Sequence, residues 1–188
     1  GVSATPSASA ACAMALDPQG RPVVAWLETT SGGLEIYLKR WDGTAWIQMG
    51  GSATGGGVSN TSSLKAGVSV AIDTAGNPVV AWIDQWSGEY RIYVRKWNGA
   101  AWAEFGGSAT GAGITGSYLN NRYPCVAVDG AGNPMVAWAG KSTTHSWVVF
   151  FKAWNGSAWV GCGGSDGDNG MAGDATAPCA PSLANRHL

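Results

Sequence analysis

The sequence is poor in charge and histidine and has no long hydrophobic run. Only 12% of its 188 residues are charged, the formal net charge is −1, and there are two histidines. Nucleic-acid binding depends on basic patches, so this balance disfavours a nucleic-acid partner. No apolar run approaches the roughly 20 residues that a membrane-spanning helix needs, so we expect no membrane insertion.

The motifs of several enzyme classes are missing as well. The sequence has no G-x-S-x-G nucleophile motif and no H-E-x-x-H zinc motif, and none of its four cysteines has C-x-x-C spacing. A sialidase-like site would need an arginine cluster with a tyrosine and acids, and none can be assigned. We therefore expect a protein that is not an enzyme.

Tryptophan and glycine, in contrast, are abundant, with 11 and 29 residues, and both recur at a spacing of 56. A fixed period of this length indicates a repeat architecture. The copies span residues 1–56, 57–112 and 113–169, and residues 170–188 begin a fourth, all within one repeat domain. With one residue inserted in the third copy, nine tryptophans are in register: Trp26, Trp82 and Trp138; Trp41, Trp97 and Trp154; Trp46, Trp102 and Trp159.

Each copy has the pattern of four short strands and no helical period. In the second copy the predicted strands are residues 68–72, 79–83, 90–97 and 101–105. The turn at 73–78 contains Asp73 and Gly76, and Asn98-Gly99 is a strong hairpin signal. The sequence therefore predicts an all-β fold with four antiparallel strands per copy.

Four-stranded units at this period resemble the blades of β-propellers. Residues 126–134 resemble the strand and turn of NHL-type propeller repeats, and residues 41–46 and 154–159 are similar to the Asp-box turn of sialidase-like propellers. Blade number and tryptophan content also resemble small sugar-binding propellers that assemble from several short chains. The resemblance implies a propeller fold and no particular activity.

Three blades are too few to close a propeller, which typically has four to eight. We therefore expect the chain to associate with itself head-to-tail, as a closed ring or a fibre, or to belong to a longer array. Residues 179–184 resemble a further first strand, which predicts a strand-addition contact with another copy. The candidate assembly residues are Cys12, Cys179, Pro181 and Leu183, and a disulfide involving Cys179 would lock such a contact.

Two tryptophans, Trp86 and Trp147, lie outside the repeat, near the connection between the second and third strands of a blade. Exposed aromatic rings beside polar groups suit sugar recognition. Asp84, Glu89 and Arg91 are close to Trp86 in sequence and are candidate partners for sugar hydroxyls. The competing function is therefore a carbohydrate-binding lectin with sites at or between blades, and the competing interpretation of both tryptophans is surface packing.

Residues 165–170 are more acidic than the equivalent loops of the other copies. The oxygens of Asp166 and Asp168 on a glycine-rich loop suit Ca²⁺, and a solvated loop is the alternative. The even number of cysteines and the low charge favour a secreted or cell-surface location. Three hypotheses follow: a non-catalytic structural protein that self-assembles, a lectin, or a propeller fragment of a larger cell-surface protein.

Overall fold

The structure, a computed structural model, describes residues 1–116, 119–145 and 147–172. These residues form twelve strands and one short 3-10 helix, Gly170–Ala172. The strands are β1 (Ser9–Leu16), β2 (Pro22–Thr30), β3 (Gly33–Trp41), β4 (Trp46–Ile47), β5 (Lys65–Ile72), β6 (Pro78–Trp86), β7 (Glu89–Trp97), β8 (Trp102–Ala103), β9 (Leu119–Val128), β10 (Pro134–Lys141), β11 (Val148–Trp154) and β12 (Trp159–Val160). The predicted all-β fold is confirmed.

The strands form three four-stranded sheets, each an antiparallel meander in sequence order. We call them blade 1 (β1–β4), blade 2 (β5–β8) and blade 3 (β9–β12). The pairing register repeats between blades, since Trp26 lies opposite Tyr37, Trp82 opposite Tyr93, and Trp138 opposite Phe150. Three propeller-type blades of nearly identical register are therefore present, as the period predicts.

The aspartates that recur between the first and second strands fold the turn there. Asp17 accepts backbone N–H bonds from Gln19 and Arg21 through Oδ1, each at 2.9 Å. Asp73 and Asp129 make the same pair of bonds at 2.8 to 2.9 Å. Each carboxylate accepts backbone N–H groups that would otherwise lack an acceptor in the tight turn. The aspartates therefore recur because every blade needs this turn.

A β-bulge recurs in the first strand of every blade. The register of pairing shifts at this point in β1, β5 and β9. The residues with left-handed backbone are Ala11, Gly67 and Tyr123, with φ of 44°, 52° and 55°. Only the second of these is a glycine, so the other two adopt a conformation that side chains disfavour.

The hydrophobic core lies between blades. We call the face of a blade that points to the next blade along the chain its outgoing face and the opposite face its incoming face. Blades 1 and 2 each pack the outgoing face on the incoming face of the next blade. The outgoing faces of blades 1 and 2 contain Val23, Ala25, Leu27, Ile36 and Leu38, and Val79, Ala81, Ile83, Ile92 and Val94. The incoming faces of blades 2 and 3 contain Val70, Val80, Trp82 and Tyr93, and Val126, Val136, Trp138 and Phe150. The outgoing face of blade 3 and the incoming face of blade 1 have no such partner blade within the described residues.

Candidate functional site

The outgoing face of blade 3 is partly open. Val149 is 48% exposed, whereas its counterparts Ile36 and Ile92 are fully buried. Met135 and Ala137, which are equivalent to fully buried residues in blades 1 and 2, are also partly exposed. This face therefore presents the surface that blades 1 and 2 bury against the next blade.

The incoming face of blade 1 is open along β1, whereas Trp26 and Tyr37 on the same face are buried. Met14 is 65% exposed, whereas its counterparts Val70 and Val126 are 8% and 7% exposed. Leu16 is exposed on the same side of β1, and so is Cys12, which is a free thiol. Since alternate residues of a strand share one face, these three side chains form one apolar stripe.

The hydrogen bonds between blades also have counterparts at the open ends. Trp102 of blade 2 donates its indole N–H to the Met49 carbonyl of blade 1 at 2.8 Å. Trp159 of blade 3 donates in the same way to the Phe105 carbonyl of blade 2 at 2.9 Å. The repeat makes Trp46 the equivalent donor on blade 1 and Cys162 the equivalent acceptor residue on blade 3.

The buried ion pair between blades 1 and 2, by contrast, has no counterpart at the open ends. Lys65 of blade 2 and Glu35 of blade 1 form a buried ion pair, with Nζ 3.4 Å from Oε2. At the next junction Asn121 replaces the lysine and donates to the Tyr90 carbonyl at 2.8 Å. The positions equivalent to Glu35 and Lys65 at the open ends are Val148 and Ser9. Neither open face therefore exposes an orphaned charge at this position.

A separate cleft of about 300 Å³ lies beside Trp86 on blade 2. The Trp86 ring is 45% exposed, and polar residues around it include Ser62, Gln85 and Thr110. Ser62 and Thr110 are exposed, and Gln85 is partly exposed. A flat aromatic surface beside amide and hydroxyl groups has the chemistry of a small polar-ligand site.

The predicted partners of Trp86 occupy different positions. Asp84 also lines this cleft, but it is buried and accepts hydrogen bonds from Thr61, Ser63 and the Trp82 indole. Arg91 is buried too, and its Nη1 donates to the Gly116 carbonyl at 2.7 Å. Glu89 lies directly opposite Trp86 in the β6–β7 hairpin. The structure thus brings Trp86 and Asp84 into one cleft, while Arg91 is not among its lining residues.

Each blade has one buried tryptophan whose indole N–H donates to a polar side chain. These acceptors were not identified from the sequence. Glu28 in blade 1 and Asp84 in blade 2 accept the indole N–H of Trp26 and Trp82. In blade 3 the equivalent residue is Gly140, and Asn121 accepts the Trp138 indole N–H at 2.9 Å. An acid two residues after the tryptophan was the available signal in the first two copies only.

Trp147 lies apart from the Trp86 cleft. Its ring is equally exposed, and two cations approach it, the Arg122 guanidinium at 5.5 Å and the Lys141 ammonium at 5.9 Å from the centroid. Arg122 also lines a cavity of about 270 Å³ between blades 2 and 3, together with Tyr90 and Tyr123. Cation–π contacts of this kind account for the position of the Trp147 ring.

Asp168 accepts hydrogen bonds from the loop between β10 and β11 of blade 3. It accepts a bond from the Thr143 backbone N–H at 2.8 Å and from the Thr143 and Thr144 hydroxyls, each at 2.7 Å. These bonds lower the pKa of the Asp168 carboxyl to about 2. Asp166 lies against Gly161. No group of three acidic, histidine or cysteine side chains suited to a metal is found among the described residues.

The remaining predicted assembly residues, Cys179, Pro181 and Leu183, lie outside the described residues. Cys125, like Cys12, is a free and exposed thiol. In the described part of the chain no helix has the length and hydropathy required to cross a bilayer.

Comparison with known proteins gives no family assignment. No protein-family model and no curated protein matches the sequence. Among solved structures, the chain is similar to a fucose lectin from Kordia zhangzhouensis, determined in complex with methyl-fucoside. The TM-score is 0.49 at 17% sequence identity, over 80% of this chain and 96% of the lectin chain.

Proposed function

We propose that this protein is a non-catalytic, propeller-type structural protein whose copies associate head-to-tail. The observation that carries the proposal is the equivalence of the two open faces. Met14 and Val149 are exposed at positions whose counterparts are buried at both junctions inside the chain. Docking blade 3 of one copy on blade 1 of the next would reproduce a junction that the chain already makes twice.

The contact is heterologous, because the two faces that meet are different surfaces of the molecule. Such contacts close into a ring when the rotation between copies allows it and otherwise propagate as a filament. Two copies of three blades would make a six-bladed ring, which is within the usual range for propellers. Both outcomes belong to the proposal, and they differ only in the angle between successive copies.

Three further elements of the proposal concern the ends and the location of the chain. A strand formed around Cys179, Pro181 and Leu183 would add to a neighbouring copy. The four cysteines and low charge support a secreted or surface location. In the third hypothesis from the sequence the chain is a fragment of a longer array. Further blades of the same chain would then cover the two open faces.

Sedimentation velocity over a wide concentration range, with and without reductant, tests the proposal. We expect association that increases with concentration, as a discrete dimer for a ring or a ladder of species for a filament. Negative-stain images distinguish these two forms. A chain lacking residues 177–188 would associate more weakly if the terminal strand contributes. A single monomeric species at all concentrations would refute head-to-tail association.

The Trp86 cleft supports a second function, carbohydrate binding. The exposed ring would cover the C–H face of a sugar, with Ser62, Gln85 and Thr110 near its hydroxyls. Asp84 would act by holding the cleft in shape, because its oxygens already accept three side-chain bonds. This function is compatible with assembly, since the cleft lies on one blade and is not part of either open face.

A glycan array followed by calorimetry with the best glycan tests carbohydrate binding. Trp86→Ala should weaken the affinity at least about fivefold, since aromatic contacts of this kind are worth about 1 kcal/mol or more. Trp147→Ala is the matched control, because its ring is equally exposed but lies outside the cleft. Absence of binding to any glycan, or equal losses in both variants, would refute a sugar site at Trp86.

A further inference from the structure

The described residues contain four copies of one short bridging segment but only three blades. In register, these copies are residues 1–3, 57–59, 113–115 and 170–172. The second and third copies each lie between two blades. The first precedes blade 1 and the fourth follows blade 3, so each of these has a described blade on one side only.

The internal segments connect the two blades that flank them. Val58 donates its N–H to the Ile36 carbonyl of blade 1 at 2.7 Å, and its own carbonyl accepts from Arg95 of blade 2 at 2.8 Å. At the next junction, Ile114 bonds Ile92 at 3.0 Å and accepts from Lys152 at 3.1 Å. Both bridging side chains are buried.

The two outer segments each lie against one blade only. Lys39, the counterpart of Arg95 and Lys152, donates from Nζ to the Val2 carbonyl at 2.9 Å and to the Ser3 carbonyl at 3.3 Å. Residues 1–3 therefore bind blade 1 at the position where residues 57–59 bind blade 2. If another blade preceded blade 1, its bridging segment would take this position.

The fourth segment packs on the blade that precedes it. A Cβ built on Gly170 would clash with the Val149 carbonyl oxygen, as one on Gly57 would clash with that of Ile36. The following residue, Met171, is 60% exposed, whereas its counterparts Val58 and Ile114 are buried. The Gly170–Ala172 segment is thus packed on blade 3, with its apolar side chain not yet covered.

We propose that, when two copies dock, Gly170–Ala172 of one copy displaces residues 1–3 of the other from Lys39. This inference rests on the proposed head-to-tail association and identifies the contact that competes with it. The two segments are equivalent, so both cannot occupy one junction. Lys39 exchanges the Val2 carbonyl for the Met171 carbonyl of the neighbouring copy, and the Met171 side chain becomes buried.

The exchange predicts that residues 1–3 weaken association. Lys39 keeps a carbonyl partner throughout, but the full chain must first break its bonds to Val2 and Ser3. A hydrogen bond to a charged group contributes about 1.5 to 3 kcal/mol. We therefore expect a chain beginning at Ala4, released from a cleavable tag, to associate at least about tenfold more tightly than the full chain.

Two substitutions in this shortened chain test the role of Lys39 itself. Lys39→Ala now removes the bond to the neighbouring copy and should weaken association at least about tenfold. Lys152→Ala is the matched control, because its acceptor is the Ile114 carbonyl of the same chain. It should change the dissociation constant by less than about twofold, with folding of both variants checked by near-ultraviolet circular dichroism.

The outcomes separate this inference from the function on which it rests. Equal association of the full and shortened chains overturns the inference, and so do equal effects of the two lysine substitutions. If Met14→Glu still abolishes association in those cases, the head-to-tail contact stands and only the exchange at Lys39 is wrong. If neither the full nor the shortened chain associates, the proposed function itself fails.

Discussion

A glutamate at Met14 should abolish association while leaving the fold of the chain intact. Met14 is 65% exposed in the single chain, so a carboxylate there remains in water. In the docked pair it would occupy the position of Val70 and Val126, which are buried between blades. The substitution therefore acts on the docked state alone.

The expected magnitude follows from the two contributions that the substitution changes. Burying a methionine side chain contributes about 1.5 to 3 kcal/mol, and most of this is lost. The charge adds the cost of burying an unpaired carboxylate, because Val70 and Val126 lie in clusters of hydrophobic residues. A total of at least about 3 kcal/mol raises the dissociation constant at least about 100-fold.

Sedimentation equilibrium of three proteins measures this effect. The control is Leu64→Glu, which introduces the same charge at an apolar residue that is 55% exposed but lies off both open faces. We expect association of the control to match that of the unsubstituted chain. Equal association of Met14→Glu and the unsubstituted chain would refute the docking geometry, and equal weakening by both glutamates would show a nonspecific effect of charge.

Three further predictions concern single residues. Because hydrogen bonds depress the pKa of Asp168 from 3.8 to about 2, its stabilising contribution is complete above about pH 4 and is lost as the pH falls toward 2. Urea unfolding of Asp168→Asn should accordingly show a weaker decline over that range, and an unchanged decline would contradict the role of this carboxyl. Tyr123→Gly should raise the free energy of unfolding by about 1 kcal/mol, since it relieves a left-handed backbone, while Gly67→Ala at the equivalent bulge should lower it. Asp84→Ala should cost about 1 to 3 kcal/mol in urea unfolding, because it leaves the buried Trp82 indole without its acceptor, and a loss below 0.5 kcal/mol would argue against that bond.

Much of the fold could be predicted because its signals are local. Asp73 and its equivalents form turns within five residues, and Asn98-Gly99 closes a hairpin between adjacent strands. Such contacts depend on side chains close in the sequence, which a repeat displays several times. The same repetition brings nine tryptophans into register, and two of them, Trp82 and Trp138, are buried between blades.

The open faces could not be predicted residue by residue, because burial depends on what lies opposite. Met14, Val70 and Val126 are all apolar and occupy the same register. Only the position of a neighbouring blade makes the first exposed and the others buried. The partners of Trp86 were difficult for a related reason, since Ser62 and Thr110 come from loops distant in sequence that converge only in the folded blade.

The polar contacts between blades also determine which faces can meet. The junction of blades 1 and 2 contains the buried pair of Glu35 and Lys65. If blade 3 of another copy docked on blade 2 in place of blade 1, Lys65 would meet Val148 and lose its carboxylate, a cost of several kcal/mol for a buried charge. Blade 1 instead offers Ser9 at that position, which leaves no charge unpaired. The charges inside the chain thus disfavour exchange of blades between copies, and the neutral residues at its ends permit one order of association, blade 3 onto blade 1.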